Sequence, residues 1–194
     1  MKVLKFGGTS VGSVESILSL KNIVSQEQKP LVVVVSALGG ITDRLIATAQ
    51  MALEGNDGWR SEFDAMRQRH MDMVNSLFSD SEERRQLELT IGSMFEQLHS
   101  IYYGVYLIHD LSPKSQAAIV SYGERLSSHI VAQLVGGVRM NARDFIKTAK
   151  KQGKDTLDAD LTYSLVCSVC RDMIATNKVL VVPGFIARDR DTGE

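Results

Sequence analysis

The first twelve residues, MKVLKFGGTSVG, constrain the chain more than any other stretch. Val3, Leu4 and Phe6 make a short apolar run with β-favouring residues. Gly7 and Gly8 end it, and Val14, Ile17 and Leu18 then recur at helical spacing. The pattern predicts a buried strand, a tight glycine loop and a helix. Paired glycines at a strand end let the backbone turn sharply and let an anion approach the peptide N–H groups, and the partial positive charge of a following helix favours that anion. Phosphate is the usual occupant of such a loop. Lys5 lies inside the strand, two residues before Gly7, so its ammonium is expected to project beside the loop, and Thr9 and Ser10 add two hydroxyls.

Two common phosphate loops are excluded by spacing. A P-loop places its lysine after the glycines, followed by Ser or Thr, whereas Lys5 precedes them. A dinucleotide fingerprint requires G-x-G-x-x-G, and Gly7, Gly8 and Gly12 do not supply it. The run Lys5-Phe6-Gly7-Gly8-Thr9-Ser10-Val11 instead resembles the N-terminal signature of aspartate kinases, members of the amino acid kinase family. Lys-x-Gly-Gly is shared across that wider family, and the added Thr-Ser points to aspartate.

The chain has 194 residues, 44% of them hydrophobic, enough to bury a core in one large or two small domains. A formal net charge of −1 gives no basic field for nucleic acid, and no apolar run approaches a membrane span. The first apolar run is short and broken by Lys5, so no secretory leader is expected and a cytoplasmic location follows by default.

Val14 to Gln28 reads as a helix with apolar residues at 14, 17, 18, 20, 23 and 24. Leu31 to Val35 is a continuous apolar run, as in a parallel strand covered on both faces. Ser36-Ala37-Leu38-Gly39-Gly40-Ile41-Thr42 is then a second glycine loop at the carboxyl end of a strand, where open α/β sheets bind ligands. Thr42 can be the N-cap of the next helix, whose inner face would hold Leu45, Ile46 and Ala49, with Gly55 past its end. The segment also resembles the aspartate kinase pattern Ser-Ala-x-x-Gly-Ile-Thr, which implies contacts from Ser36 and Thr42 to the amino acid substrate.

From about Ser61 to Asp110, apolar residues step by three and four: Phe63, Met66, His70, Met73 and Leu77, then Leu87, Ile91, Met94, Leu98, Ile101 and Val105. This predicts a helical hairpin, with Asp80 and Glu83 placed to cap its second helix and His70 and His99 as packing residues. The next helix starts at Pro113-Lys114. Gly123 interrupts its pattern at a cost of about 1 kcal/mol relative to alanine, which predicts a close approach to another group. Glu124 and Arg125 would alone read as a solvated surface, and Ser127, Ser128 and His129 as helix surface or packing. The segment resembles the Ser-x-Gly-Glu motif of aspartate kinases, with Tyr122 at the variable position, and this implies that Glu124 lies in the substrate pocket.

Gly136-Gly137 end that helix, and Val138 to Phe145 is expected to contain a strand. Lys147 to Asp158, with four lysines and Gly153, reads as a surface loop. Leu161 to Asn177 reads as a helix carrying Cys167 and Cys170, whose lone C-x-x-C lacks a second pair for zinc and is expected to pack as small apolar residues. Val179 to Val182 is a buried strand ended by Pro183 and Gly184, after which Phe185-Ile186-Ala187 resembles a Gly-Phe segment of the family.

The resemblance implies an α/β fold: an incomplete three-layer α/β/α sandwich with a mostly parallel sheet and a helical insertion at 56–112. Residues 1–194 would form the amino-acid-binding part of a catalytic domain. The Leu-Gly-Arg-Gly-Gly-Ser-Asp segment of aspartate kinases is not found in the sequence, and Arg188 and Arg190 do not occupy its position. The resemblance further implies phosphorylation of the L-aspartate side-chain carboxylate by ATP, with Mg2+ held through nucleotide phosphates. Lys5 would be catalytic, and Lys5, Gly7, Gly8, Thr9 and Ser10 would lie on the phosphates. Ser36, Thr42 and Glu124 would lie on the amino acid, in a parent that forms a homo-oligomer. A sister carboxylate kinase acting on acetylglutamate or glutamate, and a non-catalytic amino-acid-binding or dimerisation module, are the alternatives.

Overall fold

The computed structural model describes residues 1–151, 153–176 and 178–193. Its centre is the apolar run predicted from Leu31: β2 (Leu31–Val35) pairs in parallel with β1 (Lys2–Phe6) on one side and β6 (Val179–Pro183) on the other. A short β3 (Val138–Arg139) adds to β6, so the sheet order is β1-β2-β6-β3 and every pairing is parallel. Successive side chains of a strand point to opposite faces. Leu31, Val33 and Val35 are wholly buried in the larger core, and Val32 and Val34 pack in a smaller cluster on the other face.

The larger core lies beneath α1 (Val14–Gln26) and α5 (Pro113–Val135), with α2 (Ile41–Leu53) and α4 (Glu82–Ile108) stacked on α5 and on each other, and α3 (Trp59–Leu77) packed on α2 and α4. The smaller cluster takes Leu165, Val166 and Val169 from α6 (Ala159–Thr176). Helices thus cover both faces of a parallel sheet, the three-layer arrangement expected.

Several local expectations change. β1 is an edge strand among the described residues, and only alternate residues face inward: Phe6 is buried and Leu4 partly so, while Val3 and Lys5 are exposed. The inner stripe of α1 is Ile17, Leu20 and Val24, leaving Leu18 and Ile23 outward. On α2, Ile46 also turns out to solvent. Gly40, in the left-handed region at φ 77°, occupies the N-cap of α2 and displaces Thr42 to the second helical residue. Ser81 caps α4 by accepting from the Arg84 N–H, whereas Asp80 accepts from Arg84 and Arg85 side chains. The Lys147 to Asp158 segment is not a loop: β4 (Lys147–Lys151) and β5 (Lys154–Leu157) pair antiparallel, and β7 (Arg188–Asp189) joins β4 in parallel. The polar sequence carries no apolar alternation to announce these strands. Asn177, the expected end of the last helix, lies outside the described residues.

The helical hairpin is present as α3 and α4. Trp59, Phe63, Phe95 and Tyr102 pack edge to face or tilted between them, and the Tyr102 hydroxyl donates to the Leu45 carbonyl of α2 at 3.0 Å. His70 is a packing residue, as expected: its Nδ1 lies 2.8 Å from the Met66 carbonyl, and burial lowers its pKa to about 4. His99 stacks on Tyr103. Cys167 and Cys170 are free, partly buried thiols on α6.

Candidate active site

Parallel strands bring their carboxyl ends together, and the three loops leaving β1, β2 and β6 meet there. The Ser36 N–H donates to the Phe6 carbonyl at 3.1 Å, and the Gly184 N–H donates to the Val35 carbonyl at 2.8 Å. Gly8, Gly12 and Gly39 then interlock. A Cβ built on Gly12 or on Gly39 would lie 3.1 Å from the Gly8 carbonyl oxygen, tighter than ordinary side-chain contacts, so these loops approach as closely as they do because side chains are missing.

The first loop does not lead straight into the α-helix. Gly8–Val11 forms a 3-10 turn, and Ser13 caps α1 separately through the Ser16 N–H. The Ser10 N–H donates back to the Gly7 carbonyl. The N–H groups of Gly8 and Thr9, at the start of the turn, donate to no backbone carbonyl among the described residues. They are donors held in a compact cradle. Thr9 and Ser10 also line a groove against α1 with Glu15, Ser16 and Ser19.

Lys5 sits next to the cradle, exposed, and forms no ion pair among the described residues. Its register partner is Val34, so it leaves the sheet on the α6 face. Glu124 approaches from the opposite face, on α5. The structure therefore gathers Lys5 and Glu124 at one end of the sheet without pairing them.

Glu124 is positioned by its neighbours on α5. Gly123 packs so tightly on the second loop that an added Cβ would lie 2.7 Å from the Ala37 Cβ, the close approach predicted from its place in the helix. Ser127, one turn later, donates to the Ser36 carbonyl at 2.7 Å. Between them, Glu124 is buried and has no cationic partner among the described residues. Burial pushes its carboxyl up from the ordinary value, while the backbone N–H groups of Glu124 and Ala37 favour the ionised form. An unpaired buried carboxylate is costly unless a cation comes to it.

Ser36 and Thr42 are both partly buried at the ends of the second loop, and no hydrogen bond engages the Thr42 hydroxyl among the described residues. Sequence reasoning passed over Ser127. The available signal was its position, four residues after Gly123 and three before the buried Ile130, on the inward stripe of α5. Phe185, with φ 57°, stands fully exposed at the same end of the sheet, immediately after Gly184.

Known proteins with similar sequences or folds point one way. The profile described as "Amino acid kinase family" matches residues 1–193. A bifunctional aspartokinase/homoserine dehydrogenase of Buchnera aphidicola is 26% identical over 198 residues, covering 98% of this chain and 24% of that protein. Chloroplastic aspartokinase 1 of Arabidopsis thaliana is 28% identical over 204 residues, covering 98% of this chain and 34% of that protein. The crystal structure of Escherichia coli aspartokinase III in complex with lysine and aspartate superposes with a TM-score of 0.84 at 23% identity. That match covers 98% of this chain and 42% of the other, and it shows the shared fold. The chain thus spans well under half the length of these relatives.

Proposed function

This chain belongs to the amino acid kinase family, and on that premise we propose that it is the amino-acid-binding part of an aspartate kinase. The whole enzyme would transfer the γ-phosphoryl group of ATP to the side-chain carboxylate of L-aspartate. The product would be 4-phospho-L-aspartate, at the start of lysine, threonine and methionine biosynthesis in the cytoplasm. The observation that carries the proposal is Glu124, a buried carboxylate with no cationic partner among the described residues, held beside the second glycine loop. The α-ammonium of an amino acid supplies the missing charge.

The rest of the site fits the same substrate. Aspartate, with a side-chain pKa near 3.9, is already ionised at neutral pH, so its attack on phosphorus requires no general base. The obstacle is bringing two anions together, and positioning with positive charge must overcome it. Lys5 offers about 4 kcal/mol of attraction at 4 Å and an effective dielectric near 20, against about 1.4 kcal/mol per tenfold in rate. The free N–H groups of Gly8 and Thr9 fit phosphoryl oxygens, and the Ser36 and Thr42 hydroxyls can orient the amino acid. ATP, when bound, supplies the phosphoryl group, and Mg2+ accompanies its phosphates. Residues 56–112 would be a helical insertion in this domain, and the whole enzyme a homo-oligomer.

A coupled ADP-release assay with L-aspartate, ATP and Mg2+ tests the proposal on this chain and on a longer polypeptide that carries the missing arginine motif. Calorimetric titration of this chain with aspartate runs beside it. Expected are aspartate binding that Glu124→Gln abolishes, no turnover by the 194 residues, and turnover by the longer chain. There, Lys5→Ala should lower kcat far more than aspartate affinity. Turnover by neither protein would favour a binding module, and a preference for acetylglutamate or glutamate would move the chain to a sister kinase.

A further inference from the structure

A second charged site lies away from the glycine loops, in a cavity of about 510 Å³ between α4, α5 and the segment after β3. Its α5 wall carries Arg125 and His129, one turn apart; β3 adds Arg139, and the segment after it adds Asn141 and, from a short 3-10 turn, Arg143. The facing wall, on α4, is uncharged: Thr90, Ser93 and Gln97 are polar, and Leu89 and Met94 apolar. No carboxylate lines the cavity. It shares no residue with the candidate active site.

The three arginines are held so that their outer ends stay free. Arg139 donates from Nε to the Ser128 hydroxyl at 2.9 Å, and Arg143 donates from Nε to the Asn141 side-chain oxygen at 3.3 Å. Arg125 lies over the Tyr122 ring, 4.2 Å from its centroid. None of the three takes part in an ion pair among the described residues, although carboxylates on the same helices pair with Arg67 and Arg84. The terminal guanidinium nitrogens of Arg139 and Arg143 are likewise without partners among the described residues. Three like charges gathered in a partly buried cavity repel one another. Burial, followed by Arg125 and Arg143, lowers the pKa of Arg139, and burial with the neighbouring arginines lowers His129 to about 4. Such a cluster is unfavourable alone and becomes favourable when a multivalent anion enters it.

We propose that this arginine-lined cavity binds a small multivalent oxyanion, a phosphorylated or polycarboxylate metabolite, through the free guanidinium forks of Arg139 and Arg143 with Arg125 beside them. The volume suits a small-molecule ligand. His129, neutral at pH 7, can donate one further hydrogen bond.

The test is calorimetric titration of the 194-residue chain at low salt with inorganic pyrophosphate and, separately, with citrate. One-to-one binding of either probe is expected, and the stronger of the two identifies phosphoryl or carboxylate chemistry. Arg139→Gln and Arg143→Gln should each weaken it by roughly tenfold or more, the loss expected when a charged hydrogen-bond partner is removed. Circular dichroism identifies folded variants, and the less embedded Arg143→Gln carries the test if Arg139→Gln does not fold. Lys5→Gln should leave the affinity unchanged. Failure of both probes to bind the wild-type chain would overturn the proposal. So would binding insensitive to the arginine substitutions, or binding lost on Lys5→Gln, which would place the anion at the glycine loops.

Discussion

The helical hairpin with the α5 layer, and the loops at the carboxyl end of the sheet, are held together by different physics. Trp59, Phe63, Phe95 and Tyr102 fill the first region with large buried side chains. In the second, Gly8, Gly12 and Gly39 bring backbones together by having none, and single side chains such as Ser127 fasten one loop at a time. Stability is therefore concentrated where the candidate site is not. The site depends on close backbone approach, to which bulk apolar burial contributes little.

The largest effect should come from the hairpin. Trp59→Ala is expected to cost about 3–5 kcal/mol in urea unfolding, against about 1 kcal/mol or less for Val169→Ala in the thin α6 cluster. Aspartate affinity of the still-folded Trp59→Ala protein should be nearly unchanged, and a matching loss would break the separation of the two regions. Acid should act on the hairpin next. Folded His70 has a pKa near 4 against 6.5 when free, so the unfolded chain binds the extra proton between those values. Its contribution is complete above pH 6.5 and is lost as pH falls toward 4, by about 3 kcal/mol. Stability measured against pH in His70→Leu should show a flatter slope, and an unchanged slope would assign the effect to His129.

Gly123→Ala probes the junction of the two regions. Its methyl meets Ala37, and the overpacking should exceed the gain in helix propensity by about 1 kcal/mol. Aspartate affinity should fall more than stability, because the displaced loop carries Ser36. Ser127→Ala should be the mildest, about 1 kcal/mol for one hydrogen bond, again with the larger change in binding. If both α5 substitutions changed stability and left affinity intact, loop positioning would not be their role.

The two regions also differed in how much of them was legible. The hairpin announces itself through apolar spacing, and the central strand through an unbroken run at Leu31 to Val35. Gly123 was readable because a glycine inside a helix requires a reason. By contrast, Lys147 to Leu157 is too polar for alternation to appear, with only Ala149 of β4 buried, and Gly153 at φ 77° was the sole trace of its turn. The Gly40 cap was hidden beside a threonine that is itself a good N-cap. Ser127 was unreadable in its partner because a contact across 91 residues is set by packing. Lys5 and Glu124 could be singled out by motif, but their approach from opposite faces of the sheet required the fold.

One consequence of the sheet order concerns solubility. Among the described residues the outer side of β1 presents unpaired ladder groups, a template that another extended chain could copy. Lys2, paired with Glu27, and Lys5, exposed, interrupt it with charges. Replacing Lys5 with valine would leave Val3 to Phe6 as one continuous apolar run on an open strand, inviting self-association. Lys5 would then serve as a guard against fibre-like growth beside its proposed role as a cation for phosphate, and an aggregated Lys5→Val protein would report on colloidal behaviour instead of chemistry.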